Sequence, residues 1–269
     1  MPSRSPHPRF RLYGATLLAI AVCGTSSLLA CGPLDPEPPS DAEGNPLPLP
    51  PPGEDWLRVV EVSPSPAIAT EATIEVRFSE YLDPDTLNSY ATLSLRSGGI
   101  VAGGRLTYRM SRKALLYHPR APLEAELRYT LQTSPALRSV VGSPLAPETP
   151  APIFFTDETL PAAEPPTRES VRWEDIAPIL ERSCASCHAD QAWQLPQLSR
   201  DALRQTRSSQ VDLPLVMPFE PARSYLMHKI LADYPRRRFT VQPPPYSDAP
   251  PLAPDEIELI EDWIAGGAR

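Results

Sequence analysis

The chain has 269 residues, and 37 of them are proline, which is too many for one uniform globule because proline interrupts helices and strands. Hydrophobic residues make up 41%, so compact domains can form where the prolines are confined to linkers. The formal net charge of −8 argues against nucleic acid and anionic lipid surfaces as partners, since either needs a basic face.

Residues 1–30 have the pattern of an export signal: three arginines and no acid, an apolar run from 12 to 22, then small residues. The apolar run is too short for a comfortable membrane span. Leu28-Leu29-Ala30-Cys31 resembles the bacterial lipobox. The resemblance implies that Cys31 is acylated and anchors the exported protein to a bacterial membrane, at the outer membrane or facing the periplasm. Ordinary cleavage near Ala30, with Cys31 unmodified, is the alternative.

Two proline-rich segments divide the rest of the chain. Residues 31–55 are predicted to be a tether, with 9 prolines in the 24 residues after Cys31. In polyproline II geometry, at ~3.1 Å per residue, this tether reaches about 70 Å from a membrane. Residues 158–169 are a second linker, so we expect one domain at 56–157 and another at 170–269.

The first domain is predicted to consist of short strands. Apolar and polar residues alternate in three of them, which places one face inward. The seven predicted strands are Leu57–Val62, Thr73–Phe78, Ala91–Leu95, Leu106–Met110, Leu115–His118, Leu127–Leu131 and Ile153–Thr156. Seven short strands in about 100 residues predict an all-β sandwich.

Several segments of this block resemble the bacterial Ig-like domain of secreted and surface-layer proteins: 76–80, 82–86, 117–119 and the closing 154–156. The resemblance implies a spacer or docking module and no catalysis. Asp83 and Asp85 suggest calcium, but two carboxylates are far short of the six or more oxygens that Ca²⁺ needs. Turn formation and capping is the alternative that we favour.

The second domain contains Cys184-Ala185-Ser186-Cys187-His188, a C-x-x-C-H motif, which is the attachment signature of c-type haem. Two thiols three positions apart at the end of a helix can form thioethers with the two vinyl groups of one porphyrin. His188 then serves as the proximal iron ligand. Half of a zinc site and a thioredoxin-like redox pair are the alternatives. No second cysteine pair and no βαβ pattern accompany the motif.

Four helices are predicted around this motif: 173–182, with Pro178 expected only in its first turn, 199–207 with Ser199 as N-cap, 221–232, and one opening at Pro254. The segments 179–180, 224–230 and 252–268 resemble a family of small monohaem cytochrome c domains. The resemblance implies an all-α cytochrome c-like fold with one covalent haem c.

One position departs from that family, whose usual Met-Pro-Pro segment supplies a methionine as sixth iron ligand. This chain has Gln242 before its prolines. Met217 is one substitute, and Gln242 beside an open or weakly ligated iron is another. Met227 and His228 are further candidates, with core packing as the alternative for both methionines. Histidine coexists with the usual methionine at the family position of His228, which argues against ligation.

The sequence as a whole predicts an exported, membrane-anchored c-type haem protein that passes single electrons to an unidentified redox partner in the periplasm or at the surface. It is expected to be an electron carrier and not an enzyme. A surface interaction or sensory module whose haem binds a small gas at an open sixth site is the second hypothesis. An unmetallated structural or thiol-redox cysteine pair is the third.

Overall fold

A computed structural model describes residues 56–87, 92–149, 151–161, 171–188, 197–245 and 247–269. The predicted signal, Cys31 and the tether lie outside the described residues, as do residues 162–169 of the predicted linker and residue 170. The described chain forms a strand-rich part, named the β domain (56–161), and a part whose regular structure is helical, named the helical domain (171–269). The predicted order of an all-β block followed by a helical block is confirmed.

The β domain is a sandwich of two sheets. Its described residues form the strands β1 (Val59–Ser63), β2 (Ala67–Ile68), β3 (Ile74–Phe78), β4 (Leu93–Ser97), β5 (Ile100–Ala102), β6 (Gly104–Arg109), β7 (Ala114–Pro119), β8 (Arg128–Thr133) and β9 (Ile153–Thr156). One sheet has the order β1-β3-β7-β6 and the other β2-β9-β8-β4-β5. β2 and β9 pair in parallel. All seven predicted strands are present, and β2 and β5 are additional.

The core of the β domain lies between the two sheets. In β3, Ile74, Val76 and Phe78 are buried, while the intervening Glu75 and Arg77 are more exposed, as the alternation predicts. Val76 lies opposite Leu115 of the neighbouring strand β7. The facing sheet contributes residues such as Leu95, Leu131 and Phe154 to the same cluster. Both sheets are therefore amphipathic, with one shared apolar interior.

The turn at Asp83 is explained by capping. The Asp83 side chain accepts a hydrogen bond from the backbone N–H of Asp85 at 3.0 Å, at the start of a short 3₁₀ turn. The Asp85 carboxylate in turn forms an ion pair with Arg223, at 2.5 Å. Both carboxylates thus have protein partners, which supports the turn interpretation over a calcium site.

The helical domain contains α1 (Trp173–His188), α2 (Arg200–Gln205), α3 (Tyr225–Ile230) and α4 (Pro254–Ala265). Ser199 is the N-cap of α2, as predicted, and its side chain accepts a hydrogen bond from the Ala202 N–H at 3.3 Å. The predicted third helix is shorter than expected. Ser224 has an extended backbone, and its hydroxyl donates to the Glu220 carbonyl at 3.0 Å, which separates a 3₁₀ turn from α3.

The expectation for Pro178 was wrong. Because α1 begins at Trp173, Pro178 is the sixth helical residue and not part of the first turn. It lacks the N–H that would bond to the carbonyl of Glu174. The helix nevertheless continues to His188, because Ile176, Ile179 and Leu180 on both sides of the proline are buried in the core. Tertiary packing therefore overrides the local preference.

None of the helices within the described ranges is both long and apolar enough to cross a bilayer.

Candidate functional site

The C-x-x-C-H motif forms the C-terminal end of α1. The helix was predicted to stop at residue 182, but it continues through Cys184 and Cys187 to His188. Side chains separated by three or four positions lie on the same helix face. Cys187 and His188 are three and four positions after Cys184, so one face carries both thiols and the imidazole.

This face borders the apolar core. Cys184 is partly buried and packs against the hydrophobic cluster of the helical domain, while Cys187 and His188 are half-buried. Burial, together with the neighbouring Cys187, raises the pKa of the Cys184 thiol to about 11. Thiol-disulfide enzymes require a cysteine of lowered pKa, because the thiolate is the nucleophile. The environment of Cys184 therefore opposes a catalytic thiol-redox role.

The part of α1 just before the motif is bound to α4 by an ion pair. The guanidinium of Arg182, two residues before Cys184, forms an ion pair with Glu256 of α4 at 2.7 Å. Glu256 also accepts a hydrogen bond from the backbone N–H of Ala253 at 2.9 Å. These two interactions lower the pKa of Glu256, and the hydrogen bond from Ala253 makes the larger contribution. Near the other end of α1, the Trp173 ring packs 5.6 Å from that of Trp263, so α4 supports α1 along its length.

The donor set fits a covalently attached haem. Cys184 and Cys187 supply two thiols from one face of one helix, and His188 supplies an imidazole beside them. Cys184 packs against the apolar cluster of the helical domain, so a group attached to its thiol would lie beside apolar side chains. Within the described ranges, no group of three or more histidine, cysteine or acidic side chains could hold a metal ion by itself.

The two candidate distal ligands, Met217 and Gln242, form backbone hydrogen bonds to opposite ends of α3. The backbone N–H of Met217 donates to the Ser224 hydroxyl, at the N-terminal end, at 2.8 Å. The backbone N–H of Gln242 donates to the Lys229 carbonyl, near the C-terminal end, at 2.8 Å. Met217 is 39% exposed, so core packing, the alternative to ligation, does not describe its side chain.

Met227 and His228 have structural roles. Met227 is fully buried in the helical core, which confirms the packing interpretation. His228 is 5% exposed, its Nε2 lies 3.0 Å from the Ala222 carbonyl oxygen, and its ring stacks on Tyr234 at 4.2 Å. Burial lowers the pKa of His228. A neutral imidazole whose Nε2–H bonds a carbonyl is engaged in packing, in agreement with the expectation that it is not an iron ligand.

Sequence reasoning missed one buried acidic residue, Glu261. It is fully buried on α4, and it accepts hydrogen bonds from the β domain. One signal for it exists in the sequence. Glu261 lies four positions after Ile257 and three before Ile264, so it interrupts the apolar stripe of an amphipathic helix.

Comparisons with known proteins concern only part of the chain. Residues 55–156 match the family model of the bacterial Ig-like domain. No curated protein matches the chain.

Solved structures similar to part of the chain include the S-layer protein SbsC, with 19% identity, a TM-score of 0.32 and coverage of 40% of this chain. This chain covers 14% of that S-layer chain. An L,D-transpeptidase from Mycobacterium smegmatis has 15% identity and a TM-score of 0.28, with 38% of this chain and 41% of that chain covered. The methionine-rich copper resistance protein PcoC from Escherichia coli has 17% identity and a TM-score of 0.28, with 38% and 100% covered.

The family match and the two-sheet sandwich agree in position, since the strands β1 to β9 span residues 59–156. Domains of this family occur in exported and surface proteins of bacteria, which is consistent with the export predicted from residues 1–30. Residues 55–156 of this chain are a bacterial Ig-like domain.

Proposed function

We propose that this protein is an exported, membrane-anchored c-type haem protein that transfers single electrons. The observation that carries the proposal is the placement of Cys184, Cys187 and His188 on one face at the end of α1, next to an apolar core. Cys184 and Cys187 would hold one haem c through thioether bonds, and His188 would supply an imidazole to its iron. The haem, when bound, supplies the one-electron chemistry.

The chain's own contribution is to fix the attachment face. Ile176, Ile179 and Leu180 bury one side of α1, and the Arg182–Glu256 ion pair fastens its last turns to α4. A rigid attachment helix limits reorganisation around the haem, which favours fast electron exchange. The protein acts as a carrier in this proposal, and its partner is a redox protein in the periplasm or at the cell surface.

A second candidate function is ligand sensing at an open sixth iron position, with the chain acting as a surface interaction module. It is favoured by two observations on the distal side. Gln242 occupies the position where the resembled cytochromes have methionine. Met227 is buried among apolar side chains and so is already engaged in packing. Met217, whose side chain is 39% exposed, remains the methionine that would make the iron six-coordinate.

The proposed localisation follows from the sequence. Acylation of Cys31 would place two or three acyl chains in a bacterial membrane, which holds a protein almost permanently at about 0.8 kcal/mol per buried CH₂. The acidic, proline-rich segment 31–55 would then hold the Ig-like domain and the haem site away from the lipid surface.

The attachment chemistry is tested by haem staining of exported protein on denaturing gels. The Cys184→Ala, Cys187→Ala double variant is expected to lose all covalently retained haem, because both thioether bonds are removed. Ser186→Ala is the matched control, because it lies between the two cysteines and leaves both thiols in place. This control is expected to stain like the parent. Haem retained by the double variant, or absent from the parent, would refute the proposal.

A further inference from the structure

The β domain and the helical domain meet through a buried carboxylate. Glu261 of α4 is fully buried. Its Oε1 accepts a hydrogen bond from the Met110 N–H at 2.6 Å, and its Oε2 accepts from the Ser111 hydroxyl and, at 3.3 Å, from the Ser111 N–H. The Arg109 Nε lies 3.5 Å from Oε2. Each of these donors belongs to the β domain.

A basic turn and an acidic helix face each other around Glu261. The segment 109–113 contains three basic residues, whereas α4 contains five acids and no base. Arg109, whose side chain is 9% exposed, also pairs with Asp262. Arg112 donates two hydrogen bonds to Glu258, at 2.8 and 3.0 Å. The two domains are thus complementary in charge along the stretch of α4 from Glu258 to Asp262.

Apolar residues of the β domain complete the core of the helical domain. Tyr81, Met110 and Val140 are each at most 4% exposed, and they belong to the same buried cluster as Ile260 and Trp263 of α4. The Tyr81 ring meets the ring of Tyr234 edge to face, with 5.0 Å between centroids. The Tyr81 hydroxyl and the Lys113 ammonium both bond the Asp233 carboxylate, the latter at 2.6 Å.

This arrangement differs from a contact between two independent domains. A buried carboxylate without its partners is strongly destabilising, and Glu261 draws the hydrogen bonds just described from the β domain. Without the β domain, Glu261 would lie within the apolar stripe of α4 and the cluster would lack three buried members. Contacts between independent domains are usually more polar and lack a shared core.

We infer that the β domain is the folding scaffold of the helical domain, whose fold, including the helix that carries Cys184 to His188, is stable only while docked on it. The predicted spacer role is thereby extended: the Ig-like domain supports the attachment site directly. This inference goes beyond the proposed function and does not depend on haem.

The test uses the full exported chain with a protease site inserted between Pro161 and Val171. After cleavage of the folded protein, both halves are expected to elute together on size exclusion and to unfold in one transition. The Tm of that transition is expected to rise with protein concentration, because unfolding now also separates the two halves. Separation of the halves, with the helical half keeping its far-UV circular dichroism, would overturn the inference.

Variants of the uncut chain provide an independent measurement. Glu261→Ala is expected to lower the Tm by about 10 °C, because it leaves buried donors of the β domain without their acceptor. Hydrogen exchange in α4 is expected to rise more than that in β3. Glu258→Ala, which removes the exposed pair with Arg112 on the same helix, is the control and is expected to shift the Tm by about 2 °C or less. Equal effects of the two variants would contradict the inference.

These outcomes are separate from those of the haem experiment. The same purified sample is examined for haem by its absorption spectrum, so a sample without haem whose halves stay together refutes the proposed function and supports the scaffold. A helical half that contains haem, separates from the β domain and remains folded supports the proposed function and refutes the scaffold.

Discussion

The packing of α1 on α4 depends on Trp263, and its replacement by phenylalanine tests the description of the helical core. Trp263 is fully buried, and its ring lies 5.6 Å from that of Trp173. Its indole N–H donates to the Arg269 carbonyl at 3.1 Å, and the same carbonyl accepts from the Trp173 N–H at 3.0 Å. Trp263→Phe keeps an aromatic ring in the core but removes one hydrogen bond and part of the packed volume.

The expected loss follows from these contacts. The hydrogen bond contributes about 1 kcal/mol, and the remaining acceptor is not orphaned because Trp173 still donates to it. A residual cavity of about 40 Å³, at about 24 cal/mol per Å³, adds about 1 kcal/mol. The free energy of unfolding is therefore expected to fall by about 2 kcal/mol, which corresponds to a Tm lower by about 4–8 °C for a protein of this size.

The assay is thermal unfolding of the full exported chain followed by far-UV circular dichroism. Trp56→Phe is the matched control, because Trp56 is 37% exposed and lies in the β domain. Its free energy of unfolding is expected to change by no more than about 0.5 kcal/mol, and its Tm should shift correspondingly little. If Trp263→Phe is as stable as Trp56→Phe, the packing of α1 on α4 described above is wrong.

Three further predictions concern the anchor, the distal ligand and pH. Cys31→Ala should release the protein into the soluble exported fraction, because the acidic tether has no affinity for lipid; equal membrane association after a high-salt wash would exclude the lipobox. If no methionine ligates the iron, the parent should be high-spin or mixed-spin and bind carbon monoxide when reduced, and Gln242→Met should give a low-spin spectrum with a raised reduction potential. A low-spin parent that Met217→Ala makes high-spin would instead identify Met217 as the ligand. Because its Ala253 hydrogen bond and Arg182 lower the pKa of Glu256, Glu256→Gln should cost at most about 1 kcal/mol at neutral pH, and this difference should vanish as the pH falls below the lowered pKa; a difference independent of pH would refute the assigned role.

The strands of the β domain were predictable because burial on one face imposes a period of two. Ile74, Val76 and Phe78 show this in β3, where all three are buried. The short strands β2 and β5 have two and three residues, too few for any period to be recognised. They exist because neighbouring strands β9 and β4 offer backbone partners, which is tertiary information.

The candidate site was predictable in part. The C-x-x-C-H spacing alone places Cys184, Cys187 and His188 together, since any helix brings positions separated by three and four residues to one face. The length of α1 was not predictable, because Pro178 was expected only in a first turn, and only the burial of Ile176, Ile179 and Leu180 explains why the helix contains it. Local propensity cannot report such packing.

The junction between the domains was not predicted either. The segment 158–169 has the composition of a linker and suggests two independent domains. The buried pairing of Glu261 with the N–H groups of Met110 and Ser111 joins residues about 150 positions apart, and composition carries no information at that separation. The interruption of the apolar stripe of α4 by Glu261 is the local sign of it.

The exported protein is expected to carry one covalently bound haem c that cycles by one electron, and the absorption spectrum of the purified protein during a redox titration is the measurement that decides this. The haem should stay with the protein after acidic solvent extraction, and its c-type spectrum should change between oxidised and reduced forms along a single one-electron curve. A protein without a haem spectrum after export in a host that matures c-type cytochromes, or one whose haem is extracted completely, would contradict this expectation.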